Sequence, residues 1–341
     1  MIVQKKSFML LAVCLLFISI IIGGCSGMQS KTTADIPKYP NKPITLIVPF
    51  SAGGGADLLA RALEKSAPKY LGQPLLVVNK PGATGTIGWN ELAASNPDGY
   101  TLAISTVELI VQPLYGPTRY HYPTALDPIL QISTSSWVMI VSADQPWQNV
   151  ADVIQYGKDH PGELKFGHFG IGSLGHVVGE TVAHVTGIPL QQVPFRGSSE
   201  STAALLGNHI DIAFANPLSV KEHIKNGTLR ALAVSSDRRL IDPVLGQIPT
   251  FKEQGLDIVS NNWFGVVAPK DLPPEVKATL VKGFKAMMSD PEFKSNMDKF
   301  GVQIEYLDGK ELETKWLNDT VTLTKAVEET GIINLIKDQK K

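Results

Sequence analysis

An apolar run, Ile44 to Val48, ends in Pro49-Phe50-Ser51-Ala52-Gly53-Gly54-Gly55-Ala56-Asp57, and an amphipathic run leaves from there. The order predicted is strand, glycine loop, helix, and few folds accommodate it. Glycine lacks a Cβ, so such a loop can turn sharply and bring backbone N–H groups against a ligand. Those donors stand beside the first turn of a helix, whose unpaired N–H groups carry about half a positive charge. The stretch is therefore a candidate anion cradle.

The same pattern recurs within fifty residues. A strand over 44–48 and a helix over 57–67 are followed by a strand over 75–78 and a second glycine loop, Pro81-Gly82-Ala83-Thr84-Gly85-Thr86-Ile87-Gly88. That loop opens a helix over 88–94, and a strand over 100–105 comes next. Short apolar runs alternating with helical periodicity imply α/β units. In an open parallel sheet, loops at the carboxyl ends of the strands line one edge, where ligands bind. Two helix starts can then converge on one anionic group.

A second α/β block follows, with strands over 137–141, 164–169, 191–195, 211–214 and 229–235 and helices over 149–158, 176–185 and 200–206. The chain then returns through a strand over 262–269 and helices over 274–290, 291–300 and 312–329. A lobe built from 39–140 and 261–341, with 141–260 inserted as a second lobe, gives two crossover strands and a cleft between them. At 341 residues and 43% hydrophobic content the chain has enough apolar mass for two such lobes. Net charge is −1 and aromatic content 7%, so neither a basic footprint nor a stacking platform points to nucleic acid.

Residues 1–24 have the layout of a secretory signal, with Lys5 and Lys6 ahead of an apolar stretch from Phe8 to Ile22. Ile22-Gly23-Gly24-Cys25 resembles a bacterial lipobox, in which Cys25 would be lipidated and become the first mature residue. An ordinary secretory signal or an uncleaved anchor is the other reading. Residues 25–38 are polar and read as a tether. Cys14 and Cys25 are the two cysteines, so the mature domain has no disulfide, thiol nucleophile or thiolate metal site.

The first loop fails the nucleotide tests. It lacks the Gly-Lys-Ser/Thr ending of a P-loop and the Gly-x-Gly-x-x-Gly spacing of a dinucleotide site. Asp57 reads equally as a first-turn acid on the helix dipole or as an orienter of the loop or ligand. Ser173, between a strand and a helix, invites comparison with a nucleophile elbow. That motif needs glycine two residues before the serine, where Ile171 stands. A helix cap or ligand hydroxyl fits Ser173 better, and His176 is a ligand donor or buried partner rather than a base. His168 and His176 do not make a His-Glu-x-x-His metal pair. Arg196 is either a carboxylate receptor facing a cleft or a surface residue at a helix start.

Several motifs in fixed order then carry a family resemblance. They are Tyr39-Pro40-x-Lys42-Pro43-Ile44, Pro49-Phe50 with Gly53-Gly54 and Asp57, Gln73-Pro74, and Asn79-x-Pro81-Gly82-Ala83-x-Gly85-x-Ile87-Gly88. Pro97-Asp98-Gly99-Tyr100-Thr101-Leu102, Gly172-Ser173-x-x-His176, Pro194-Phe195-Arg196-Gly197 and Trp263-Phe264-Gly265 continue the series. The chain resembles the Bug family, extracytoplasmic solute-binding proteins of tripartite tricarboxylate transporters. The resemblance implies a type II periplasmic-binding-protein fold, α/β, with two lobes joined by two crossovers around a cleft.

It also implies a non-enzymatic receptor without cofactor or metal that binds a small carboxylate and works with membrane permease subunits. A monomer is expected, and the lipobox reading adds an acyl anchor on Cys25 that holds it to the bilayer. Carried over as ligand-binding are Phe50, Ser51, Gly54, Gly55 and Asp57 from the first loop and Gly82, Thr84, Gly85 and Ile87 from the second. The second lobe contributes Ser173, His176, Phe195, Arg196 and Gly197, with Asp211 and Phe214 nearby. His168 and Gln112 depart from the family pattern, which has serine and asparagine there, so the far end of the ligand is open. The rival readings are a secreted serine hydrolase using Ser173 and His176, and a binding protein that presents its ligand to a sensor.

Overall fold

The alternation of strands and helices resolves into two mixed sheets in a computed structural model, which describes residues 39–299, 302–329 and 332–339. The signal segment, the tether and Cys25 lie outside the described residues. In chain order the strands are β1 (Ile44–Val48), β2 (Leu75–Asn79), β3 (Thr101–Thr106), β4 (Leu126–Ser136), β5 (Val138–Ser142) and β6 (Lys165–His168). They continue with β7 (Gln191–Pro194), β8 (Ile212–Ala215), β9 (Leu229–Val234), β10 (Asn261–Pro269) and β11 (Gln303–Asp308). The first sheet has the order β11-β4-β10-β3-β1-β2 and the second β7-β6-β8-β5-β9. β2, β1 and β3 run parallel, as do β7, β6 and β8. The carboxyl ends of these strands carry the loops of interest.

β1 is buried nearly throughout because it lies between two parallel neighbours, with Ile44 opposite Leu75 and Thr45 opposite Thr101. The helix Gly55–Leu71 packs Leu59, Leu63 and Ala67 against it and stops at Gly72, whose φ of 74° is left-handed. It starts two residues before the expected Asp57, so Gly54, Gly55 and Ala56 belong to the helix start itself. The second glycine loop ends in the helix Thr86–Ala93, pinned by Trp89, whose indole donates to Ile104 O at 3.0 Å.

Several elements were not expected from the sequence, among them β4, β11 and the helices Pro217–Lys225 and Ile332–Gln339. Because β5 spans residue 140, sheet membership changes at Trp137, three residues before the expected lobe boundary. The return crossing leaves β9 and rejoins the first sheet at β10. Ser235 fastens the two crossings together. Its Oγ accepts from Trp137 N at 2.8 Å, its N donates to Trp137 O at 2.8 Å, and its O accepts from Ser260 N at 2.8 Å. Among the described residues no helix is long and apolar enough to cross a membrane.

Candidate functional site

The first glycine loop is braced from within. Asp57, at the third position of its helix and 5% exposed, accepts from Gly53 N at 2.9 Å and from Asn79 Nδ2 at 2.9 Å. Asn79 Nδ2 also reaches Phe50 O at 3.1 Å, so one side chain at the end of β2 holds both ends of the loop. Arg61 Nε approaches the same carboxylate at 3.4 Å. Asp57 therefore orients the loop, the second of its two readings. The helix start has no side-chain cap, which leaves its first N–H groups to other partners.

Across the cleft, loops from the second sheet meet both glycine loops. Ser51 Oγ donates to Glu200 Oε1 at 2.7 Å, and Ser199 Oγ donates to Ala52 O at 2.7 Å. Thr84 Oγ1 donates to Ile171 O at 3.0 Å, and Gln112 Nε2 donates to Gly172 O at 3.0 Å. Phe50 packs edge-on to Phe169 at 5.8 Å, and Phe169 stacks on Trp137 at 4.9 Å. A Cβ added at Gly197 would lie 2.9 Å from Ser51 N, and one at Gly170 would lie 2.4 Å from Thr84 Oγ1. The two sides touch through backbone as closely as glycine permits.

Two cavities border these loops. The larger, about 840 Å³, lies against Gly82 and Thr84 of the second glycine loop, Tyr115, Arg119, Phe195 and Arg196. Arg119 and Arg196, both exposed, belong to the rim of this space. The smaller, about 30 Å³, lies against Gly54 and Gly55 of the first loop, Glu108, Trp137, Phe169 and Asn262.

The second lobe's expected residues divide. Ser173 caps the helix Leu174–Thr186, its Oγ accepting from His176 N at 3.2 Å, and is fully buried. The His176 ring instead accepts at Nδ1 from Gly172 N at 3.1 Å, and its Nε2 stands 3.3 Å from Glu180 Oε1 without hydrogen-bond geometry. Serine hydroxyl and imidazole are thus engaged elsewhere, which is not a nucleophile and base. His168 stacks on His176 at 4.3 Å and binds Gln192 Oε1 through Nε2 at 2.6 Å. Burial, with the neighbouring imidazole, pushes His168 down to about 4. The stacked pair supports the loop 170–173 from behind rather than facing the cleft.

Ile87 is half-exposed beside Gly82, Gly85 abuts Trp89, and Phe195 and Arg196 border the larger cavity. Asp211 and Phe214 are not brought to the cleft. Asp211 stands just before β8, at the end remote from the cleft, and accepts from Lys165 N at 2.8 Å. Phe214 is in the core, edge-on to Phe166 at 6.2 Å. Among the described residues no group of three acidic, histidine or cysteine side chains is placed to hold a metal.

Glu108, Trp137 and Glu200 are cleft residues that sequence reasoning missed. Glu108 is 1% exposed, takes Thr106 Oγ1 at 2.5 Å and Leu174 N at 3.1 Å, and thereby joins the two lobes. Desolvation holds its carboxyl above the usual range, partly offset by those two donors and by its own backbone N–H. The signal was available: an acid in the apolar run Val107-Glu108-Leu109-Ile110-Val111, immediately past the carboxyl end of a strand.

Two α/β sheets crossed twice by the chain, with a cleft at the carboxyl ends of their parallel strands, define the periplasmic-binding-protein architecture. The chain belongs to a family within it: residues 59–332 match the model of the tripartite tricarboxylate transporter family receptor. BugT of Bordetella pertussis is 34% identical over 259 residues, 74% of this chain and 77% of that protein. The periplasmic binding protein BugD superposes with a TM-score of 0.82 at 29% identity, covering 86% of this chain and 99% of that one. A Rhodopseudomonas palustris protein solved with adipate gives 0.80 at 26% identity, with 86% and 98% covered. The family is one of solute-binding receptors, which is not an enzyme class.

Proposed function

We propose that this chain is an extracytoplasmic receptor that closes its lobes on a small organic carboxylate and passes it to the membrane subunits of a tripartite tricarboxylate-type transporter. The observation that carries the reading is the meeting of both glycine-loop helix starts with second-lobe loops across one cleft. Neutral backbone donors at helix starts suit capture and release, because they attract an anion without a fixed countercharge. The ligand-binding residues on this reading are Gly54, Gly55, Gly82, Thr84 and Gly85, with Ser51, Phe195, Arg196 and Gly197 completing the closed cleft. The adipate-bound relative supports a carboxylate as the cargo.

The mature chain is a monomer anchored by a lipid on Cys25, with 39–136 and 261–339 as one lobe and 138–234 as the other. Closure is a population shift set by the ligand's preference for the closed state. Titration calorimetry of ligand-stripped protein against di- and tricarboxylates, aromatic acids and acidic amino acids will find a binder. A protein inert to every carboxylate would sink the proposal, whereas unchanged uptake in a deletion strain would favour a sensor role.

A further inference from the structure

The larger cavity, about 840 Å³, is bounded by both lobes and offers far more room than one carboxylate needs. Volumes of roughly 300–1,000 Å³ hold ligands of drug size. The second glycine loop, with Gly82 and Thr84 on the cavity wall, accounts for one anionic end of such a ligand. Pro117, Ile171 and Phe195 make the wall partly apolar, which suits a hydrocarbon middle section.

The charged residues mark a second end. Arg119 belongs to the first lobe, between the turn Gln112–Tyr115 and the short helix Tyr122–Ala125, and Arg196 follows β7 in the second lobe. Among the described residues the arginines in ion pairs are Arg61 and Arg239, so no carboxylate neutralises either cavity arginine. Arg119 lies over the Tyr120 ring, 5.5 Å from its centre. Glu200 borders the same cavity but is committed, with Oε1 accepting from Ser51 Oγ at 2.7 Å and Oε2 from Arg196 N at 3.0 Å. Two like charges brought together by a closing cleft repel, by about 1 kcal/mol for unit charges 4 Å apart in water. An anion between them turns repulsion into attraction, and a guanidinium fork fits a carboxylate with two parallel hydrogen bonds.

We propose that Arg119 and Arg196 clamp a second anionic group at the far end of the ligand, one arginine from each lobe. The receptor then selects acids whose two anionic groups are separated by an apolar span. This rests on the receptor reading above and narrows its substrate class. An acid with one anionic group leaves the two guanidinium groups to repel, so it favours the closed state less. Both arginines are exposed, so each can be replaced singly without opening the core.

The test is titration calorimetry on ligand-stripped receptor with matched sets: adipate with hexanoate and propylmalonate, and terephthalate with benzoate and phthalate. Malate and citrate are included, and any other binder is compared with its analogue lacking the second anionic group. Propylmalonate and phthalate carry the charge of their isomers with the carboxylates close together, which separates a clamp from general attraction to a positive rim. The expected tightest binder is a separated diacid that exceeds its matched controls by about tenfold or more, the scale of a charge-assisted hydrogen bond. In Arg119→Gln and in Arg196→Gln that advantage falls to about threefold or less. A tightest binder with one anionic group, with adjacent carboxylates or without an apolar span overturns the proposal and leaves the receptor reading standing. So does an advantage that survives in either variant. No binding by any acid overturns both.

Discussion

His168 is where a single residue's chemistry reaches furthest. Its ring is buried, stacked on His176, and held neutral with a pKa of about 4 against an ordinary 6.5. An unfolded chain takes up a proton below 6.5 that the folded one refuses, so this contribution to stability is intact above that pH. It is lost progressively as pH falls from 6.5 towards 4, amounting to about 3 kcal/mol at the lower end. Urea unfolding followed between pH 7 and 4 should show that slope, and His168→Gln should flatten it. An unchanged slope would show that His168 is not the group responsible. The sequence marked His168 as a departure from the family pattern, but only the packing of β6 against the helix Leu174–Thr186 placed the two imidazoles face to face.

At the scale of the element, the first glycine loop behaves as a small braced frame. Asp57 and Asn79 fix Gly53 N and Phe50 O from opposite ends, which keeps the helix start pointed at the cleft. Asp57→Ala should lower stability by about 1–3 kcal/mol and ligand affinity by about tenfold, with Asp57→Asn intermediate, as read by thermal melts and calorimetry. Loss of stability with affinity intact would mean the brace does not organise the site. Both glycine loops were legible because a run of small residues after an apolar strand has few other uses. β4 was not. It is buried on both flanks by β10 and β11, carries Gln131 and Ser133 in the interior, and so lacks any alternating pattern. Its Pro128 lies beyond the reach of β11, beside a register shift with β10, where a missing N–H costs little.

For the whole molecule the decisive feature is closure. Gly197 has φ −172°, extended backbone that any residue adopts, so a side chain there strains nothing locally. It would instead meet Ser51 across the cleft at 2.8 Å. Gly197→Val should therefore leave each lobe intact while disfavouring the closed state. Small-angle scattering should show the wild type contracting with a saturating ligand and the variant contracting less, with affinity down about tenfold or more. Equal contraction would mean that the Ser51 contact does not limit closure.

What the sequence determined by itself was local: strand, glycine loop and helix twice over, the return of the chain to its first lobe, and the order of motifs that mark the family. Such features depend on backbone freedom and short-range periodicity, which residues carry with them. Only the tertiary structure decided that Asp211 and Phe214 fall away from the cleft and that Glu108 bridges the two lobes through Leu174 N. It also showed that Ser173 is a helix cap rather than an exposed hydroxyl. Those assignments turn on which end of a strand a residue occupies and what desolvates it. Both are set by contacts between segments far apart in the chain.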